Sequence, residues 1–217
     1  MIEFSMLCLA RLGFEDKMEE IVPYVDSLHC DIMDGEFVES VAFSPQEINS
    51  MNFNMPKHVH IMSRFPIPYI DELKNVNTVS FHFEAVEEHE KVIDHIRHCG
   101  FKPGLVVNPE TSIASMSYLI NSIDRVLLMA VNPGFSAQPY LDSTSTKITE
   151  LRDISPTIEI VIDGGMNENT MKEVTSLGAD ACVVFSVILK APDHQQKIQS
   201  LKESCLTGIS KRRTQGH

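Results

Sequence analysis

The chain has 217 residues, 43% of them hydrophobic and 22% charged, and a formal net charge of -12. That length and apolar content suit a soluble globular protein with a full core. The negative balance disfavours nonspecific contact with nucleic-acid phosphates, and no apolar run approaches the ~18 residues of a membrane span. Met1-Ile2-Glu3-Phe4 carries no basic segment followed by an apolar stretch, so no signal peptide and a cytoplasmic location are expected. The five cysteines (Cys8, Cys30, Cys99, Cys182, Cys205) are scattered and include no Cys-x-x-Cys. That pattern predicts free thiols in a reducing compartment rather than a disulfide frame.

Phe4 to Leu9 is short and apolar, which predicts a buried strand. Phe14 to Val25 has apolar residues at helical spacing. The stretch His29-Cys30-Asp31-Ile32-Met33-Asp34-Gly35 reads as a strand closed by turn chemistry. Residues two apart in a strand point to one side, so His29 and Asp31 project together. Such a pair is half of a metal site; read alone it also fits a strand whose polar edge meets water. Ser44 and Pro45 predict a capped helix to Met51. Strands are predicted over 57–62, 78–83, 102–107, 125–131, 158–162 and 181–185, and helices over 68–73, 86–99, 112–120, 141–154, 167–177 and 194–205. Gly100 and Gly178 stop two of these helices.

Eight strands alternating with helices, several of them near-continuous apolar runs, point to a parallel sheet covered on both faces. A single-domain α/β (β/α)8 TIM barrel over residues 1–207 follows, with residues 208–217 as a basic, disordered tail. An open doubly wound sheet lacks support, because no Gly-x-Gly-x-x-Gly follows the first strand. In such a barrel chemistry sits at the C-terminal ends of strands. The polar residues predicted there are Ser5, His29, Asp31, Asp34, His60, His82, Asn108, Asn132 and Asp163. His29, Asp31, His60 and Asp163 supply two imidazoles and two carboxylates, a complete shell for Zn²⁺ or another divalent cation.

Several segments resemble the ribulose-phosphate 3-epimerase family in order and spacing. They are Leu28-His-Cys-Asp-Ile-Met-Asp-Gly35, His60-Ile-Met62, Phe81-His-Phe-Glu-Ala85, Gly104-Leu-Val-Val-Asn-Pro-Glu-Thr111, Met129-Ala-Val-Asn-Pro-Gly-Phe135 and Ile162-Asp-Gly-Gly165. Phe43-Ser44-Pro45 and Asn108-Pro-Glu-Thr111 look most like its allulose-6-phosphate branch. The resemblance implies reversible epimerisation at C3 of a ketose phosphate and a homo-oligomer. It implies one divalent ion (Zn, Fe, Mn, Co or Mg) on His29, Asp31, His60 and Asp163, with Asp31 and Asp163 as acid and base. Ser5, His60, Met33, Met62 and Met129 match residues lining the substrate.

The departures fall where phosphate is expected, in turns after strands six, seven and eight. Gly134, Gly164 and Gly165 are present, but Phe135-Ser136-Ala137 stands where Phe-Gly-Gly is usual, and Phe185-Ser186 where Gly-Ser is usual. Phe185 is expected to obstruct the phosphate or its backbone cradle. Glu36 and Glu39 add negative charge nearby. Two alternatives follow: a non-catalytic sugar-sensing or partner-binding barrel, and an epimerase for an unphosphorylated sugar. Lysine-dependent decarboxylases are disfavoured, since Asp31-Ile-Met-Asp34 contains no lysine.

Overall fold

The structure, a computed structural model, describes residues 1–7, 15–134 and 138–215. Eight strands run β1 (Ile2–Ser5), β2 (Ser27–Met33), β3 (Lys57–Met62), β4 (Thr78–His82), β5 (Lys102–Val107), β6 (Arg125–Met129), β7 (Glu159–Asp163) and β8 (Ala181–Val184). Each pairs in parallel with the next, and β8 closes on β1. The expected (β/α)8 barrel is the observed fold. Among the described residues the helices are α1 (Glu15–Ile21), α2 (Pro45–Ser50), α3 (Pro66–Glu72), α4 (His89–His98), α5 (Ile113–Met116), α6 (Ser143–Ile154), α7 (Glu168–Leu177), α8 (Ser186–Leu189) and α9 (His194–Gln215).

Local chemistry sets the helix ends. Ser44 and Glu47 form a reciprocal capping box before Pro45. Asn167 caps α7, whose C-terminus stops at Gly178 with φ 131°. Two predicted helices are shorter than expected. The first gives way after Ile21 to a 3-10 turn containing Pro23, which cannot continue the hydrogen-bond ladder. The helix expected over 112–120 holds for four residues before a 3-10 stretch; there Ser117 Oγ donates to the Ala114 carbonyl at 2.9 Å, competing with regular bonding.

Side chains alternate along every strand. Ile2, Phe4, Leu28, Cys30, Ile32, Val59, Ile61, Val79 and Phe81 face outward into the main core under the helices, as do their counterparts on β5–β8. The inward set is divided. From β5 to β8 it is mostly apolar: Val106, Leu127, Met129, Val161, Ala181 and Val183 form their own cluster, with Arg125 and Asp163 as charged exceptions. From β1 to β4 it is mostly polar: Glu3, Ser5, His29, Asp31, His58, His60, Ser80 and His82 are all buried, with Met33 and Met62 as apolar exceptions at the mouth.

The expectation of a disordered tail from residue 208 is corrected: α9 continues to Gln215. Gly208 is buried against α7, where a Cβ would lie 2.1 Å from Thr175 Oγ1 and 2.4 Å from the Lys172 carbonyl. Arg212 reaches the Gly178 carbonyl at 3.4 Å. The polar composition concealed this contact, because a glycine that reads as a helix stop is here a point of close approach. On a free helix Gly→Ala stabilises by ~1 kcal/mol. Here Gly208→Ala is expected to destabilise instead, because overpacking costs ~1–3 kcal/mol. Denaturant unfolding measures the sign.

Candidate active site

A cavity of about 560 Å³ opens at the C-terminal ends of the strands, the face where such barrels carry their chemistry. Ser5, Asp31 and Asp163 reach into it, Met33, Met62 and Met129 form its apolar wall, and Gly134, Gly164 and Gly165 line its rim. Phe185 and Ser186 lie at the end of β8 on the same wall. Phe135, Ser136 and Ala137 lie outside the described residues. Asp34, Asn108 and Asn132, also predicted at strand ends, do not line the cavity.

The alternation of β2 brings His29 and Asp31 to one face, and β3 places His60 beside Asp31 in register. Asp163 arrives from the end of β7. His29 Nε2 and His60 Nδ1 each lie 3.2 Å from Asp31 Oδ1, and 3.8 and 4.0 Å from Asp163 Oδ2. Neither nitrogen, though buried, makes a well-aimed hydrogen bond. The four ligand atoms lie within 4.8 Å of one another. Ligands held at ~2.0–2.1 Å in a tetrahedron stand about 3.3 Å apart. The donor set and its spacing therefore fit a small divalent cation.

Supporting contacts surround this group. Ser5 Oγ donates to Asp31 Oδ2 at 3.3 Å. His60 Nε2 lies 2.8 Å from His82 Nε2, and His82 Nδ1 is 3.4 Å from Glu84. Below, Glu3 contacts His29, His58 and Arg125.

In the absence of a cation the two aspartates differ. Burial raises both, but His29 and His60 outweigh it at Asp31 and hold that carboxyl well below its usual range. At Asp163 burial prevails over His29, with Asp31 and Glu3 adding to it, and the carboxyl rises to about 7. Burial works against a charge on His29, yet Asp31, Glu3 and Asp163 push its imidazolium up to about 10. Burial and His29 depress His60 against the pull of Asp31.

The expectation for Phe185 meets a different geometry. Its φ is −140°, outside the left-handed region that glycine favours. Its half-buried ring packs against the cluster of Leu7, Met33, Val38 and Met62. By contrast, Gly164 and Gly165 have φ of 108° and 67°, and a Cβ at either would lie 2.5 Å from Val131 or Tyr140. Glu36 and Glu39 are exposed and away from the cavity lining. Sequence reasoning missed Lys190, which lines the cavity and is its basic side chain among the described residues, and Tyr140. It also missed Glu3 and Arg125. Their signal was a charge at an inward position of an otherwise apolar strand.

Barrel, mouth and donor set together define a (β/α)8 site built around paired carboxylates and imidazoles. The ribulose-phosphate 3 epimerase family model matches residues 1–189. Ribulose-phosphate 3-epimerase of Aquifex aeolicus (strain VF5) is 35% identical over 193 residues, which is 85% of this chain and 87% of that protein. The enzyme of the same name from Escherichia coli (strain K12) is 32% identical over 203 residues, 89% of each chain. The chain belongs to the ribulose-phosphate 3-epimerase family and is, with it, a carbohydrate epimerase of the isomerase class. That favours the enzyme over the non-catalytic barrel. Among solved structures, KGPDC from Streptococcus mutans superposes with a TM-score of 0.73 at 8% identity, covering 96% of this chain and 98% of that one. 3-Hexulose-6-phosphate synthase from Salmonella typhimurium gives 0.67 at 13% identity, covering 95% and 99%. These two likenesses show the fold. No helix of the described residues is long and apolar enough to cross a membrane.

The electrostatics make a measurable statement about the cation-free protein. His29 is raised in the folded state from 6.5 to about 10. Its contribution to stability is therefore complete below 6.5 and lost as pH rises through about 10. Chelator-treated protein should lose stability over that interval, and His29→Ala should flatten the loss in a pH series of denaturant titrations.

Proposed function

We propose that the chain interconverts the C3 epimers of a ketose phosphate, ribulose 5-phosphate or a six-carbon ketose phosphate of the allulose type. Asp31 and Asp163 carry the protons, and His29, Asp31, His60 and Asp163 hold one divalent cation. The observation that carries this reading is the pair of buried, orphaned imidazole nitrogens beside two carboxyls of opposite protonation tendency. The support for the substrate class is the family and the names of the relatives; that for the cation is the donor set.

Inverting C3 requires a proton taken from one face and a proton returned to the other. Asp31 and Asp163 stand on β2 and β7, across the closed barrel mouth from each other. One must be ionised while the other holds its proton, and in the cation-free protein the two carboxyls are divided in that sense. Asp31 serves as base in one direction and Asp163 as acid, with the roles exchanged in reverse. A bound cation would supply Lewis-acid stabilisation of the charge developing on the substrate oxygens. Ser5 orients Asp31, and Met33, Met62 and Met129 exclude water around C3 with adaptable apolar contacts. The phosphate is assigned to the Gly164–Gly165 turn, Ser186 and Lys190, whose donors and charge face the same wall.

In D₂O, deuterium should appear at C3 of the epimerised product, and Asp31→Asn or Asp163→Asn should each cost at least ~10² in rate. His60→Ala should reduce metal stoichiometry, about one ion per chain in the parent, measured by atomic emission after dialysis. Unchanged content in both His29→Ala and His60→Ala would sink the assignment of the shell.

Phe185 narrows the phosphate wall. Phe185→Gly is expected to lower KM for a phosphorylated ketose with a smaller effect on kcat. A contact to a charged oxygen is worth ~1.5–3 kcal/mol, or about tenfold to a hundredfold. A raised KM would show that the ring supports the wall instead.

A further inference from the structure

The barrel floor beneath the site holds a charged network that the proposed reaction does not use. Glu3 is buried in β1, at an inward position. Its Oε1 accepts from Arg125 Nη1 at 2.8 Å. Its Oε2 lies 2.8 Å from His58 Nδ1 and 3.3 Å from His29 Nδ1. Arg125 is anchored on its far side by Glu159, with Nε and Nη2 at 3.0 and 2.8 Å from Oε2. Gly104 leaves the room for this crossing: a Cβ there would lie 2.9 Å from Arg125 Cγ and 2.1 Å from Ser80 Oγ. Glu3, His29 and His58 are themselves spaced like a second set of cation ligands, but the guanidinium on Glu3 already supplies the positive charge.

We infer that Glu3, held in place by Arg125 across the barrel floor, is a positioning residue: it fixes the ring orientation and tautomer of His29 so that Nε2 is presented to the cation shell. The inference rests on the cation reading given above. A carboxylate only accepts, so in the neutral imidazole that a cation requires the proton of His29 sits on Nδ1, facing Glu3. Nε2 then keeps its lone pair, and this is the nitrogen found orphaned beside Asp31 and Asp163. Without Glu3 the ring could carry its proton on Nε2, where a cation cannot bind. A carboxylate behind a ligating imidazole also raises its basicity. A buried ion pair adds little net stability over apolar packing, and apolar side chains fill much of the lumen beside it. The pair is therefore explained by what it holds, not by what it stabilises. His58 completes the arrangement, with Nδ1 toward Glu3 and Nε2 2.7 Å from Ser80 Oγ.

The test uses the full chain stripped of metal and titrated with Co²⁺, read by visible absorption. Glu3→Gln keeps the side-chain shape and removes the charge. It should weaken Co²⁺ binding by about 10–100-fold, while the cation-free protein keeps its circular dichroism and cooperative unfolding. Glu159→Gln removes the outer partner of Arg125 without touching His29, and its Co²⁺ affinity should match the parent. A folded Glu3→Gln protein with parental affinity would overturn the inference, as would equal weakening in both variants, which signals general loosening of the floor. Should Glu3→Gln not fold, ¹⁵N-histidine spectra of the Zn²⁺-loaded parent decide. A proton on Nδ1 of His29 supports the inference, and one on Nε2 overturns it. A parent that binds no cation would instead remove the four-residue shell, and the inference with it.

Discussion

Side chains of a closed parallel barrel have one choice of side at each position, because successive residues alternate between the lumen and the helical layer. Every second residue of all eight strands must therefore fill one narrow space. In this chain that space is unevenly divided, with mostly apolar residues from β5 to β8 and mostly polar ones from β1 to β4. The catalytic layer at the mouth and the charged layer at the floor are consecutive turns of one alternation. Glu3 and Ser5 on β1, His29 and Asp31 on β2, and His58 and His60 on β3 each contribute one member to each layer. The outward residues between them, such as Phe4, Cys30 and Val59, are buried in the main core. A one-residue slip in any of these strands would exchange the two sets, so the packing of the core fixes the address of the chemistry.

Geometry also accounts for the asymmetry of the two aspartates. Asp31 lies 3.2 Å from both imidazoles, against 3.8 and 4.0 Å for Asp163. It also accepts from Ser5. In a low-dielectric interior a difference of this size in distance, together with one extra hydrogen bond, decides whether burial or pairing prevails. The division between them arises from the placement of neighbours, not from residue type, since both groups are Asp.

Much of this was legible in the sequence because the determinants are local. His29 and Asp31 are two apart, Asp163 precedes a double glycine, and Asp34-Gly35, Asn108-Pro109 and Asn132-Pro133-Gly134 mark the ends of three other strands. Cap residues Ser44 and Asn167 mark helix starts in the same way. What could not be read is long-range. The contact of Glu3 with Arg125 spans 122 positions, and neither residue carries a spacing signature. The Gly208 contact with α7 likewise depends on a helix crossing, so composition alone pointed to a loose end. At Phe185 a comparison of residue types suggested a backbone conflict, but φ there is −140°, outside the left-handed region.

The methionine wall makes the cavity chemically soft. Met33, Met62, Met129 and Met166 all line it. A thioether takes up an oxygen atom from peroxide, and the resulting sulfoxide is polar, bulkier and chiral. Leucine or valine at these positions would be inert. Oxidation of these sulfurs would therefore change the shape and polarity of the cavity rather than its ligands. Because the lesion is a sulfoxide, reductive repair can restore the wall without replacing the chain.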